Sequence, residues 1–215
     1  MILKWLGHAC FLITSGDGLK IITDPYLNGG KIRYAPVDDS ADIVTISHDH
    51  YDHNALSAVS GNPEVIRGRG LKIAKGIQFK GIPTYHDESK GEQRGDNTVF
   101  CYSIDGIKVC HLGDLGHRLS HEQINEIGDI DLLLIPVGGF YTIDANVATQ
   151  VCDDLNPKVI VPMHYKTPKL DFPITGVDEF LKGKRNVKRL DLSEAEFVMG
   201  KLPDISEIIV LKSDR

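Results

Sequence analysis

The chain has 215 residues, with 30 acidic against 24 basic side chains and a formal net charge of −6 at pH 7. Hydrophobic residues make up 41% and charged residues 25%, as in an ordinary globular protein, and the length suits a single domain spanning residues 1–215. The acidic balance argues against a broad nucleic-acid-binding surface, which normally needs an excess of basic residues.

The first half of the chain is predicted to consist mainly of short strands. Short apolar runs bounded by turn residues predict strands at 2–6, 10–14, 19–23, 42–46, 64–67, 71–74, 77–82, 98–104 and 107–112. The pair Asp105-Gly106 is a strong hairpin signal. A short helix is expected at 54–59. The segment 67–75, in which basic residues alternate with others, favours a hairpin with one solvated face.

The segment between the strand at 42–46 and the helix at 54–59 reads H-x-H-x-D-H, from His48 to His53. In an extended backbone, side chains two residues apart point the same way, so His48 and His50 can converge on one metal ion. Asp52 and His53 follow the turn and can face a second ion. Imidazole suits zinc and other first-row metals, and a carboxylate offsets their charge. The alternative is a surface loop in which Asp52 caps the next helix, but a cap needs no histidines.

The second half is predicted to alternate strands with helices. Strands are expected at 131–135, 158–161 and 207–211, and helices at 120–127, 145–155 and 177–182. Ser120 is expected to cap its helix, with Gln123 completing a capping box. Hairpin-rich strands followed by this alternation favour two sheets packed face to face, with helices on their outer faces.

Three later residues could complete a metal site, because each follows a predicted strand and such positions combine rigid support with an open edge. They are His86, Asp114 and His164. Taken singly, they could be a surface histidine, a turn aspartate and a core histidine. Two further candidates are Asp24, which could orient a ligand imidazole or form an Asp-Pro turn, and His8, for which packing beneath the cleft is favoured over facing it.

This order of residues resembles the metallo-β-lactamase superfamily, with the resemblance covering residues 1–165. Further phrases, Trp5-Leu-Gly-His8, Thr23-Asp-Pro and Pro136-Val-Gly-Gly-Phe-Tyr141, are similar to the compact branch of L-ascorbate-6-phosphate lactonase-like proteins. The resemblance implies an α/β fold, a four-layer αββα sandwich of two packed mixed β-sheets flanked by helices. Residues 167–215 lie outside it and display no recognisable chemistry.

The resemblance also implies a set of ligands for two divalent ions. His48, His50 and His86 would hold one ion, Asp52, His53 and His164 would hold the other, and Asp114 would bridge the two. A shared carboxylate is chemically reasonable, because two dications about 3.5–4 Å apart repel each other strongly. Zn²⁺ is the favoured ion, and Mn²⁺, Fe²⁺ and Ni²⁺ are compatible with the same ligands.

These features predict a metal-dependent hydrolase in which a metal-bound hydroxide cleaves a small-molecule ester or lactone, with Asp52 as ligand and orienting catalytic residue. One alternative is a phosphodiesterase acting on a nucleic acid or lipid, although no long insertion suggests an RNA-binding arm. A second alternative is a metal-binding or interaction protein on the same scaffold, which is disfavoured because structural zinc sites are closed.

The expected compartment is the cytoplasm. Residues 1–14 are apolar but lack the pattern of a signal peptide, and no segment approaches the ~20 apolar residues of a membrane span. The four cysteines form no C-x-x-C pair, so reduced thiols are expected. The predicted partner is a small-molecule substrate rather than a membrane or nucleic acid, and a homo-oligomer is compatible with the sequence.

Overall fold

The protein consists of two mixed β-sheets and three short α-helices. The structure is a computed structural model that describes residues 1–215. The strands are β1 (Ile2–Gly7), β2 (Cys10–Thr14), β3 (Lys20–Thr23), β4 (Ile43–Ile46), β5 (Glu64–Arg67), β6 (Gly70–Ala74), β7 (Ile77–Tyr85), β8 (Asp96–Ile104), β9 (Ile107–His111), β10 (Leu132–Pro136), β11 (Val159–Met163), β12 (Val187–Arg189), β13 (Glu194–Glu196) and β14 (Glu207–Val210). The helices are α1 (His121–Ile127), α2 (Ala145–Leu155) and α3 (Val177–Leu181).

Each sheet joins an antiparallel part to a parallel part. The first sheet has the order β13-β1-β2-β3-β4-β5, and the second has the order β12-β14-β11-β10-β9-β8-β7-β6. Strands β10 and β11 are buried at every position, which matches their continuous apolar sequences, because a parallel strand is covered on both faces. The αββα fold class expected from the sequence is therefore confirmed.

The main core is a cluster of 46 buried hydrophobic residues that draws on both sheets, with side chains such as Phe11 and Phe79 fully buried. Burying a side chain of this size stabilises the fold by about 1.5–3 kcal/mol. A second cluster of 15 residues includes Tyr26, Tyr34 and Leu170. No helix is long and apolar enough to cross a bilayer, and the longest, α2, has 11 residues.

Two local predictions differ from the structure, and two strands were not predicted. The helix expected at 54–59 is only a 3₁₀ turn (Leu56–Ala58), because none of its three residues is buried and tertiary packing therefore does not support a longer helix. The hairpin expected at 67–75 is wrong: β5 and β6 belong to different sheets, and Gly68 and Gly70, both with positive φ, turn the chain between them. Strands β12 and β13 were not predicted, since each has three residues and is rich in charge.

Other elements match their predictions closely. Helix α2 has the predicted bounds, and Ser120 caps α1 in a complete capping box with Gln123. The turn at Asp105-Gly106 joins β8 to β9, which pair antiparallel as expected.

The candidate site residues gather where strands end. Strands β1, β3 and β4 of the first sheet end just before His8, Asp24 and the segment 48–53. Strands β7, β9 and β11 of the second sheet run parallel to one another and end just before the loops that carry the other candidates, His86, Asp114 and His164. Both sheets therefore contribute side chains to one edge of the sandwich.

Candidate metal centre

One carboxylate oxygen, Asp114 Oδ2, lies at the centre of the candidate site. It is 3.1 Å from His86 Nε2, 3.2 Å from both His53 Nε2 and His164 Nε2, and 3.9 Å from His48 Nε2. All five side chains are buried. The structure thus brings four imidazoles that are remote in sequence around a single aspartate.

The first group of potential ligands is His48, His50 and His86. Their ligand atoms all lie within 4.8 Å of one another, and His48 Nε2 is 3.1 Å from His50 Nδ1. His48 and His50 face the same way after strand β4, as their two-residue spacing predicts. Three imidazole nitrogens this close offer one face of a metal coordination sphere.

The second group contains Asp52, His53 and His164, together with His8, and its ligand atoms also lie within 4.8 Å of one another. His8 is fully buried, as expected for a packed residue, yet its Nε2 is 3.2 Å from Asp52 Oδ2. Its backbone carbonyl accepts hydrogen bonds from the Trp5 indole and the His164 amide. His8 therefore belongs to the polar cluster and does not merely pack beneath it.

Asp24 and Ser47 link the two groups through hydrogen bonds to the imidazole nitrogens that face away from Asp114. His53 Nδ1 donates to Asp24 Oδ2 at 2.9 Å, and the Ser47 amide donates to Asp24 Oδ1 at 2.8 Å. The Ser47 hydroxyl donates to Asp24 and lies 2.9 Å from His48 Nδ1. These bonds direct the Nε2 atoms of His48 and His53 toward Asp114, as hydrogen-bond partners of metal-binding histidines do. The sequence drew attention to Asp24 but not to Ser47, a single serine before the motif.

Asp87 is a second residue that the sequence analysis missed. Its buried carboxylate accepts hydrogen bonds from the backbone amides of Ser89 (2.7 Å), Gly91 (3.0 Å), Gln93 (3.0 Å) and Arg94 (2.7 Å). Burial alone would raise the pKa of Asp87, but these four donors hold it below its usual range. The Asp-x-Ser spacing of an Asx turn is the signal that could have revealed this residue.

Burial and mutual charge leave most of the cluster in the protonation states that a metal requires. Desolvation lowers the pKa of His48 to about 3 and that of His8 to about 4, so both rings are neutral at pH 7. Burial opposes ionisation of Asp52 and Asp114, but the surrounding imidazoles hold the pKa of each carboxyl well below its usual range. Neutral imidazoles and ionised carboxylates are the forms that bind metal.

The balance of charge and the unpaired atoms fit bound divalent cations. Asp24, Asp52 and Asp114 converge on His53, and despite burial these carboxylates raise the pKa of His53 well above its usual value. No lysine or arginine forms an ion pair with any of the three carboxylates. His53 Nε2 and Asp114 Oδ1 are buried without hydrogen-bond partners. Such atoms are costly unless something binds them, and a cation would satisfy both.

An open cavity of about 370 Å³ lies over the cluster. Asp52, Asp114 and His164 contribute to its base, and aromatic and basic side chains also line it: Lys31, Tyr51, Arg94, Tyr141 and Phe172. The Phe172 ring lies 5.7 Å from the His8 ring and 5.6 Å from the Tyr141 ring. The segment 167–215, which displayed no chemistry as a sequence, therefore provides part of the cavity wall.

Comparison with known proteins identifies the superfamily. A family model described as a β-lactamase superfamily domain matches residues 2–164. A UPF0173 metal-dependent hydrolase of Carboxydothermus hydrogenoformans is 30% identical over 205 residues, covering 83% of this chain and 88% of the relative.

Solved structures agree with the sequence relatives. A Thermotoga maritima protein assigned to the Zn-dependent hydrolases of the metallo-β-lactamase superfamily is 42% identical, with a TM-score of 0.82 and coverage of 98% of this chain and 97% of that one. Igni18, a metallo hydrolase of Ignicoccus hospitalis, is 26% identical, with a TM-score of 0.61 and coverage of 83% and 88%. The chain belongs to the metallo-β-lactamase superfamily. Within it, this protein is a metal-dependent hydrolase.

Proposed function

We propose that the protein is a binuclear hydrolase that cleaves the ester or lactone bond of a small molecule. The observation that carries the proposal is the convergence of buried imidazoles and carboxylates on Asp114 beneath an open cavity. His48, His50 and His86 would hold one ion, and Asp52, His53 and His164 would hold the other, with Asp114 between them. Zn²⁺ is the ion that this mixture of imidazoles and carboxylates favours.

Bound divalent ions would supply an acidic water and an electrophile for the carbonyl oxygen. The protein's own residues orient the reaction. Asp52 lines the cavity and lies 3.2 Å from His8 Nε2, so its ionised carboxylate is positioned to bind and orient a water molecule over the cluster. Asp24 fixes His53 in the tautomer that leaves Nε2 facing Asp114.

The size of the cavity and the chain's charge support a small substrate. A volume of about 370 Å³ lies at the lower end of ordinary small-molecule sites. The net charge of −6 disfavours a polyanionic nucleic acid. The sequence phrases that resemble those of lactonase-like proteins favour a lactone or related ester over a phosphodiester.

The test is a substrate panel assayed with purified protein loaded with Zn²⁺ or Mn²⁺. It contains γ- and δ-lactones, p-nitrophenyl esters and bis(p-nitrophenyl) phosphate. We expect turnover of lactones or esters that disappears on chelation and returns with added metal. Turnover confined to the phosphodiester would replace the proposal with a phosphodiesterase. Failure to hydrolyse any member with two ions bound would favour a non-catalytic metal-binding protein.

Asp114→Ala is the sharpest variant for the bridging role. Removing the shared carboxylate leaves two dications repelling each other, so we expect the metal content to fall toward one ion or none and hydrolysis to be lost. Metal content is measured by elemental analysis after gel filtration. The control is Asp129→Ala, which removes an exposed carboxylate that does not line the cavity. Full loading with two ions in Asp114→Ala would refute the bridging role.

A further inference from the structure

Arg94 is a half-buried cation that no carboxylate neutralises. The protein has one other half-buried arginine, Arg215, and that residue forms ion pairs with Asp38 and Asp39. No carboxylate oxygen lies within 4.0 Å of the Arg94 guanidinium, which lies over the face of the Tyr141 ring. Because partial burial of an unpaired charge is unfavourable, the position is suited to an anion that arrives with a ligand.

The Arg94 side chain extends from a well-anchored backbone. The Arg94 amide donates to Asp87 at 2.7 Å, within the set of four amides that fixes the loop between β7 and β8. The guanidinium carbon lies 5.7 Å from the centre of the Tyr141 ring, within the range of a cation–π contact. Tyr141 in turn packs against Phe172 with ring centres 5.6 Å apart. The anchored loop and the Tyr141 ring together restrict the positions that the Arg94 guanidinium can occupy.

The charge faces the same cavity as the candidate metal centre. Arg94 lines that cavity together with His50 and His86, two members of the first group of potential ligands. Lys31 also lines it and forms no ion pair; its backbone carbonyl bonds to the Asp171 amide, next to Phe172. Two cations without acidic partners therefore border a cavity whose base already holds the groups proposed to bind metal.

We propose that Arg94, assisted by Lys31, forms a subsite for an oxyanion of the substrate, a carboxylate or phosphate group separate from the bond that is cleaved. A guanidinium offers paired N–H donors that match the two oxygens of such a group. This inference rests on the proposed hydrolase function and narrows it to acidic small molecules. Arg94 acts here as a binding and specificity residue, because it contacts the anionic group and not the reacting atoms.

The first experiment compares two esters that share a leaving group, p-nitrophenyl acetate and mono-p-nitrophenyl glutarate, with the metal-loaded protein. The measured quantity is the ratio of kcat/KM for the glutarate ester to that for the acetate ester. In Arg94→Gln we expect this ratio to fall about 10–100-fold, mainly through KM, since one charged hydrogen bond is lost. Arg94→Lys should restore part of it. Lys90→Gln, which removes an exposed charge from the same loop but outside the cavity, should keep the wild-type ratio.

The second experiment measures binding without turnover. Glutarate and inorganic phosphate are titrated calorimetrically into wild type, Arg94→Gln and Lys90→Gln at matched metal content. We expect Arg94→Gln alone to weaken binding, and the more affected anion identifies the preferred group. Arg94-dependent binding without hydrolysis of either ester or of any lactone in the substrate panel would refute the proposed hydrolase function and leave the subsite intact. Wild-type anion binding and a wild-type ester ratio in Arg94→Gln would overturn the subsite.

Discussion

At the scale of single residues, the candidate metal centre contains a concentration of strained backbone. His8, Asp24 and His164 all have positive φ, at 55°, 39° and 50°. Non-glycine residues in this region cost of order 1–3 kcal/mol each and are held there only by their surroundings. Here the His164 amide bonds to the His8 carbonyl, and Asp24 bonds to His53 and Ser47. The sequence was enough to name these three residues as candidates for the site. Their backbone conformations could not be predicted, because contacts with remote segments impose them.

Asp24→Ala tests the support behind the cluster. Without the carboxylate, His53 loses the acceptor that fixes its tautomer, and we expect metal affinity to fall about 10–100-fold. The affinity is measured by competition with a chromophoric chelator. The control is Asp17→Ala, which removes an aspartate from an exposed turn. Unchanged affinity in Asp24→Ala would reduce Asp24 to a turn residue.

His8→Asn tests whether the buried histidine beside Asp52 takes part in metal binding. We expect one of two metal-binding steps to weaken by about 10-fold, because His8 Nε2 contacts Asp52 and its ring lies 4.2 Å from that of His164. Stepwise metal titration followed by calorimetry separates the two events. His121→Asn, which alters an exposed histidine, is the control. Two unaltered binding steps would assign His8 to packing alone.

At the scale of elements, the loops after the strands fit together through close backbone contacts. Gly116, in the loop after β9, donates its amide to the Tyr85 carbonyl at 2.9 Å. A Cβ added to Gly116 would lie 2.2 Å from the His86 carbonyl carbon and 2.3 Å from the Asp87 amide nitrogen. Both contacts involve backbone, which cannot move aside as a flexible side chain can. The absence of a side chain at Gly116 thus allows the His86 backbone to approach this loop closely, which places the His86 side chain next to Asp114.

Gly116→Ala should therefore displace His86 without removing any potential ligand. We expect a folded protein with weakened binding of one metal ion, seen as reduced metal content after dialysis against a weak chelator. Gly16→Ala provides the control, because an added Cβ there meets only the Asp105 side chain at 3.6 Å or more. Equal metal retention by the two variants would contradict the proposed role of the contact.

At the scale of the whole molecule, the candidate centre joins the two sheets. His8, Asp24 and the segment 48–53 follow strands of the first sheet. The other candidates, His86, Asp114 and His164, follow strands of the second. The Asp114 carboxylate lies at nearly equal distances from His53, in a loop that follows the first sheet, and from His86, in a loop that follows the second. Bound ions would thus hold the sheets together, which links metal binding to the stability of the fold.

Removing the metal should therefore lower the melting temperature. At a free ion concentration 1,000-fold above Kd, one bound ion stabilises the folded state by about 4 kcal/mol. For a chain of this size that corresponds to roughly 8–16 °C in Tm. Calorimetric scans with Zn²⁺ and with excess chelator would measure the shift. Asp114→Ala should show a much smaller one, and equal Tm values for metal-loaded and chelated wild type would contradict the proposed coupling.

The amino-acid sequence alone predicts the superfamily resemblance, the order of most strands along the chain and the ligand candidates. It could do so because these depend on local patterns: apolar runs, turn residues and the spacing of H-x-H-x-D-H. The three-dimensional fold was needed to show that Ser47 and His8 contact the cluster, that Asp87 fixes a loop, and that Arg94 and Phe172 line the same cavity. Each is an ordinary residue in its local sequence. Its role arises from contacts with segments remote in the chain, which depend on how the two sheets pack.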